Sequence, residues 1–262
     1  MPGIFDWLGG RKASGRDEQS TAPPAQDGGD PYAALSARLG DYPADTPLHR
    51  GDPGTLTRAQ RAENLAQFKA REPERIAKVC SWLWREDIDA SRVLKGDATA
   101  LAEGRKIDVW LKDWVPKRPF DVVSGDPEVN APVVRWFASD RAGADLVFSF
   151  ISDLARLNAA AISAARPLFA WTVVEDEMDA LLSTDPVDNP GNEPSQWRYH
   201  PCLVRDLRDG SVPVVFDVQL AVLGLVHQRM SPLGHPVQDQ FPVLLKPILE
   251  GAYLWEEPEP RT

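Results

Sequence analysis

The stretch that decides the fold is ADLVFSFISDLARLNAAAISAA, residues 144–165. Its apolar side chains recur every three to four residues, the period of an α-helix. They are Leu146, Val147, Phe150, Ile151, Leu154, Leu157, Ala161 and Ile162. Because its polar side is thin, we predict a central, largely buried helix. Asp153, Arg156 and Asn158 make this helix too polar to span a bilayer.

The segments before this stretch are also predicted to be helical. Thr57 is the expected N-cap of one helix, and Pro73 is expected to interrupt it and to open the next. Asp97 caps a further helix with four apolar residues on one face, and Asp126-Pro127 opens another. The four residues on that face are Ile107, Trp110, Leu111 and Trp114.

Beyond residue 167 the sequence becomes richer in β-branched and aromatic residues. Residues 199–206 and 212–218 are predicted as two strands, joined at a turn by Asp209-Gly210. Residues 168–174 and 220–226 each fit either a strand or a short helix, and residues 241–255 predict a closing helix or strand. The expected fold class is α+β, with a helical N-terminal half packed on a mixed C-terminal half that contains a small antiparallel sheet.

Composition divides the chain into three parts. Residues 1–31 are predicted to be a disordered tail with a short apolar start, and residues 256–262 a loose acidic tail. Residues 32–255 are expected to form a single globular α+β domain. Residues 4–8 contain Ile4, Phe5, Trp7 and Leu8, which allow docking on this domain, on a partner, or peripherally on a membrane.

The overall balance excludes several classes of protein. With 262 residues and 43% hydrophobic content, the chain can bury a sizeable core. Its formal charge of -10 opposes binding to nucleic acid, which needs an excess of lysine and arginine. We find neither a secretory signal nor an apolar run long enough for a transmembrane segment, so a cytoplasmic protein is expected.

Nine tryptophans show where the chain buries its surface. Five have apolar neighbours at helical spacing, which predicts core positions rather than a stacking platform for a ligand. They are Trp82, Trp84, Trp110, Trp114 and Trp136.

Motifs for nucleophilic or phosphate chemistry are absent from the sequence, and no cofactor is predicted. The sequence has no GxSxG, SxxK, GxGxxG or GxxxxGK[ST] pattern. One catalytic alternative stays open, an unrecognised hydrolase, possibly metal-dependent, with its site near the scarce histidines of the C-terminal half. Its candidate residues are His200, Cys202, Asp217, His227 and His235. The alternative is that His200 is a loop-end histidine and Cys202 an inert thiol.

Carboxylates form the one unusual cluster, with no lysine or arginine between them. They are Glu175, Asp176, Glu177, Asp179, Asp185, Asp188 and Glu193, followed by Trp197, Arg198 and Tyr199. We predict that this acidic segment binds a basic protein partner, which makes the protein a non-catalytic interaction factor such as an inhibitor, an immunity-type factor or an adaptor. A plain solvated face and a divalent-metal loop are the alternatives.

Overall fold

The computed structural model describes residues 30–114, 119–120, 127–174, 199–205, 214–226, 228–229 and 241–251. The α-helices in these ranges are α1 (Pro31–Leu39), α2 (Arg58–Trp84), α3 (Ala98–Trp114), α4 (Pro127–Ala138), α5 (Leu146–Ala165), α6 (Val218–Val226) and α7 (Leu245–Leu249). The strands are β1 (Pro119–Phe120), β2 (Phe169–Val173), β3 (Pro201–Arg205), β4 (Val214–Phe216) and β5 (Gln228–Arg229).

Helix α5 is the centre of the molecule, as the sequence predicted. Every residue from 146 to 159 is buried, including the polar ones, because α1, α2, α6 and α7 all pack around the helix. The segment Gly143–Ala165 is long and apolar enough to cross a membrane, with a mean hydropathy of 1.3 in its most apolar window. However, 89% of that window is buried inside the protein. Here it serves as a core helix.

The sheet confirms the predicted fold class. Strands β2, β3 and β4 form a three-stranded antiparallel sheet in that order, with Leu203 paired to Trp171 on one side and Phe216 on the other. The rings of Phe169 and Phe216 stack across it at 5.1 Å. Of the two segments that fitted either a strand or a helix, residues 169–173 form strand β2 and residues 218–226 form helix α6, which packs against α5.

Helix α2 confirms one prediction and overturns another. Thr57 is its N-cap, since Thr57 Oγ1 accepts the Gln60 amide and Gln60 Oε1 accepts the Thr57 amide at 2.9 Å. Pro73, however, neither ends this helix nor begins another. A proline removes one backbone hydrogen bond, and burial of Phe68 and Val79 on either side holds the helix together across that defect.

Most of the predicted core tryptophans lie where expected. Trp82 and Trp136 are buried and Trp110 packs partly buried against the core, while the side chain of Trp114 lies outside the described residues. Trp84 was predicted wrongly, because it is 67% exposed. Two residues apart on a helix means about 200° of rotation, so Trp84 faces away from the core that Trp82 enters.

The predicted tails lie mostly outside the described ranges. This holds for residues 1–29 and 252–262, so the disordered tail, the acidic tail and the membrane contact through residues 4–8 stay predictions.

Candidate functional site

A buried pocket lies where the irregular segment 42–56 meets α2, α4, α5 and the beginning of β3. It holds about 50 Å³ of water-accessible space. Phe68, Phe137 and Leu56 form part of its apolar wall. Among the residues that the structure describes, its charged wall has three arginines and one carboxylate, contributed by four different parts of the chain: Arg61, Arg141, Arg156 and Asp45.

Arg156 is held in place on α5 by two carboxylates. Its NH1 is 2.6 Å from Asp153 Oδ1, one helical turn earlier, and its NH2 is 2.7 Å from Asp45 Oδ2. The guanidinium also lies 3.8 Å from the centre of the Phe68 ring. These contacts fix the plane of the guanidinium at the pocket wall. Only 1% of the residue is exposed.

A second buried arginine, Arg75, binds the Asp153 carboxylate that holds Arg156. Arg75 donates to both oxygens of Asp153, and Tyr42 donates its hydroxyl to the same carboxylate. Asp45 in turn accepts from Arg71 at 3.0 Å. Burial alone would raise the pKa of Asp45, but the charges of Arg156, Arg71 and Arg75 lower it, so this carboxylate is ionised and already paired.

Arg141 is different, since it is buried at some cost. Its backbone has a φ of 57°, in the left-handed region that side chains other than glycine rarely occupy. Its NH1 donates to Ser152 Oγ at 2.8 Å, and its guanidinium lies 5.0 Å from the Trp136 ring. Within the described ranges no carboxylate pairs with it. Burial therefore lowers the pKa of Arg141 to about 10.

Several nitrogens in the pocket residues lack a hydrogen-bond partner among the residues that the structure describes. They are Trp136 Nε1, Arg141 Nε, Arg156 Nε and His200 Nδ1, all in buried side chains. Buried polar groups in folded proteins are almost always paired, so the concentration of such nitrogens around one cavity makes it the candidate functional site.

His200 joins the pocket to a second cluster. Its ring lies 5.6 Å from Trp136 and 5.2 Å from Phe137, and its Nε2 is 3.0 Å from Asp217 Oδ1. Ligand atoms of His200, Cys202 and Asp217 all lie within 4.8 Å of one another. The structure thus brings together three of the five residues of the predicted catalytic alternative, while His227 and His235 lie outside the described residues.

The predicted partner-binding segment is largely outside the described ranges. This applies to Glu175, Asp176, Glu177, Asp179, Asp185, Asp188, Glu193, Trp197 and Arg198, so their role stays a prediction. Tyr199 is described and partly buried, and its ring lies 4.3 Å from the Arg61 guanidinium at the pocket wall.

Sequence reasoning missed the arginines of the pocket. One signal was present in the sequence. Asp153 and Arg156 lie in a helix with so few polar residues that the whole helix is expected to be buried, and buried charges need partners. Comparison of the chain with protein-family models, with curated proteins and with solved structures gives no match. Function has to be inferred from the pocket itself.

Proposed function

We propose that this protein binds a small oxyanion, such as phosphate, sulfate or a short carboxylate, in the buried pocket. The observation that carries the proposal is Arg141, a buried guanidinium on a strained backbone with no carboxylate partner among the described residues. Strained backbones and uncompensated charges persist in folded proteins mainly where function requires them.

The charge balance of the pocket wall favours an anion. Among the described residues, Arg156 shares the Asp45 carboxylate with Arg71, whereas Arg141 at the same wall has no carboxylate partner. Burying a charge without a partner costs several kcal/mol, and a bound anion would offset that cost through charge-assisted hydrogen bonds.

The unpaired nitrogens specify what the ligand must offer. Arginine and the tryptophan indole can only donate hydrogen bonds, so Arg141 Nε, Arg156 Nε and Trp136 Nε1 all require an acceptor. A bound water uses about 10–15 Å³ of such space, so the 50 Å³ in the pocket correspond to about four water-sized atoms. An oxyanion of four or five heavy atoms matches both requirements.

The test is ligand-dependent stability. Wild type, Arg141→Gln and a matched control, Arg85→Gln, are heated in chelator-containing buffer with increasing phosphate, sulfate or acetate, at constant ionic strength with chloride. Arg85 is a suitable control because it is exposed and pairs with Asp41 on the surface. We expect at least one oxyanion to raise the melting temperature of wild type and of Arg85→Gln, but not of Arg141→Gln.

Two results would overturn the proposal. One is a wild-type melting temperature that no oxyanion changes relative to chloride. The other is an equal rise in wild type and Arg141→Gln, which would mean that the anions act on the protein surface. The identity of the most effective anion then distinguishes a phosphate-type from a carboxylate-type ligand.

The protein-interaction function predicted from the acidic segment is a separate proposal. It concerns residues 175–198, and its support is the run of like charges in the sequence. A protein can bind a small anion inside and a basic partner outside, so the two proposals are tested independently.

A further inference from the structure

We propose a metal site next to the pocket, at which Zn²⁺ is bound by His200 Nε2, Cys202 Sγ and a carboxylate oxygen of Asp217. The three residues supply nitrogen, sulfur and oxygen ligands that converge within 4.8 Å. This inference does not rest on the oxyanion proposal, because a different set of atoms carries it.

The distance between the nitrogen and oxygen ligands is close to that in a tetrahedral zinc shell. Zinc bonds to nitrogen and oxygen are about 2.0–2.1 Å long, which places neighbouring ligand atoms about 3.3 Å apart. His200 Nε2 and Asp217 Oδ1 are 3.0 Å apart. Replacement of the shared proton by a metal ion therefore needs only a small outward movement of the two groups.

The sheet register explains why these residues meet. Strands β3 and β4 are antiparallel with Leu203 opposite Phe216, and one further step along this register places Cys202 opposite Asp217. His200 lies two residues before Cys202, and residues two apart in an extended chain project to the same side. Cys202 therefore lies in β3, and His200 and Asp217 directly adjoin the ends of β3 and β4.

Their surroundings suit a bound metal ion. Trp136 and Phe137 flank the His200 ring and fix its orientation, as the residues around metal ligands commonly do. Asp217 Oδ1 also accepts the Leu220 amide at 2.9 Å at the beginning of α6, and no described residue donates to Oδ2. Among the described residues, nothing therefore competes with a metal ion for Oδ2.

The ligand types select the metal. A thiolate with an imidazole and a carboxylate suits Zn²⁺ far better than Mg²⁺ or Ca²⁺, which prefer oxygen alone. The side chains of Cys202 and His200 are buried, whereas the Asp217 side chain is 22% exposed. Metal entry and a fourth ligand, such as water, are therefore expected on the Asp217 side.

Cobalt provides the direct test, because Co²⁺ replaces Zn²⁺ and absorbs light. Chelator-treated protein is titrated with Co²⁺, then with Zn²⁺. We expect a thiolate-to-cobalt charge-transfer band and tetrahedral ligand-field bands at stoichiometric metal, both removed by Zn²⁺. The charge-transfer band should vanish in Cys202→Ser and persist in Cys80→Ser, the control that retains Cys202 and loses the chain's other cysteine.

Asp217→Asn keeps the inference testable if Cys202→Ser fails to fold. Asparagine is as good an N-cap as aspartate and keeps an oxygen that can accept from His200, so this variant preserves the beginning of α6 while it removes the charged ligand. We expect Asp217→Asn to bind Co²⁺ at least about tenfold more weakly. The inference is wrong if wild type gives no charge-transfer band, if the band depends on Cys80, or if Asp217→Asn binds Co²⁺ as tightly as wild type.

Discussion

Replacement of Arg141 by glutamine should make the ligand-free protein slightly more stable, which is unusual for a buried residue with a hydrogen bond. Burial lowers the pKa of Arg141 from the usual value of an arginine to about 10. At about 1.4 kcal/mol per pKa unit, holding this charge in the native state costs about 3 kcal/mol. Because the folded-state pKa is the lower one, the full cost applies below pH 10 and declines only as the pH rises above that value.

The substitution also removes favourable contacts. The hydrogen bond to Ser152 is worth about 1 kcal/mol and the contact with the Trp136 ring about another 1 kcal/mol. Glutamine suffers the same backbone strain at a φ of 57°, so that contribution cancels. The balance is a gain of about 1 kcal/mol for Arg141→Gln without ligand.

Urea denaturation at neutral pH, in a zwitterionic buffer free of oxyanions, measures this balance. We expect a higher midpoint for Arg141→Gln with an unchanged slope, while Arg85→Gln stays within about 0.5 kcal/mol of wild type. The order should reverse in saturating oxyanion, since a ligand at a hundred times its Kd stabilises wild type by about 2.7 kcal/mol. A loss of more than 1 kcal/mol in Arg141→Gln without oxyanion would show that the protein itself satisfies Arg141, and would refute the reasoning.

Four further outcomes are expected. Asp153→Asn breaks a buried network of ion pairs and should lower the free energy of unfolding by about 3–5 kcal/mol in urea denaturation, whereas a loss below 1 kcal/mol would contradict the buried pairing. Burial, aided by Asp89, raises the pKa of Cys80 to about 11, so iodoacetamide at pH 8 should alkylate it about a hundredfold more slowly than an unstructured cysteine, as followed by mass spectrometry; equal rates would contradict the shift. Double charge reversal at Asp185 and Asp188 should weaken retention of a basic partner in a pull-down at low salt, and retention unchanged by reversal and by salt would count against the acidic segment. Zinc should tighten binding of the oxyanion that raises the melting temperature most, and that anion should tighten zinc binding by the same factor in calorimetry; equal anion affinities with and without zinc would disprove the coupling.

The elements that could be predicted from the sequence are those fixed by local physics. The apolar period of residues 144–165 and the caps at Thr57 and Asp97 all depend on neighbours within a few residues. Pro73 was predicted wrongly because packing on both sides of it outweighs a local preference. The choice between strand and helix for residues 169–173 likewise depended on a distant partner, β3.

The pocket could not be predicted in this way. Its charged residues come from positions 45, 61, 141 and 156, at no spacing that a motif describes. In the sequence a buried arginine resembles a solvated one, and the difference lies only in what packs around it. The sequence draws attention to negative charge, because carboxylates cluster along the chain, whereas the positive charges cluster only after folding.

His200 is the physical reason to expect the two proposed sites to influence each other. Without a metal, a neutral imidazole that donates Nε2–H to Asp217 presents Nδ1 as an acceptor, which disfavours an anion nearby. With Zn²⁺ on Nε2, the proton of the neutral ring must lie on Nδ1, which then donates toward an oxyanion in the pocket. Bound zinc would therefore convert one nitrogen of the pocket residues from acceptor to donor, and since binding linkage is reciprocal, a bound oxyanion would favour the metal-bound form of His200 to the same extent.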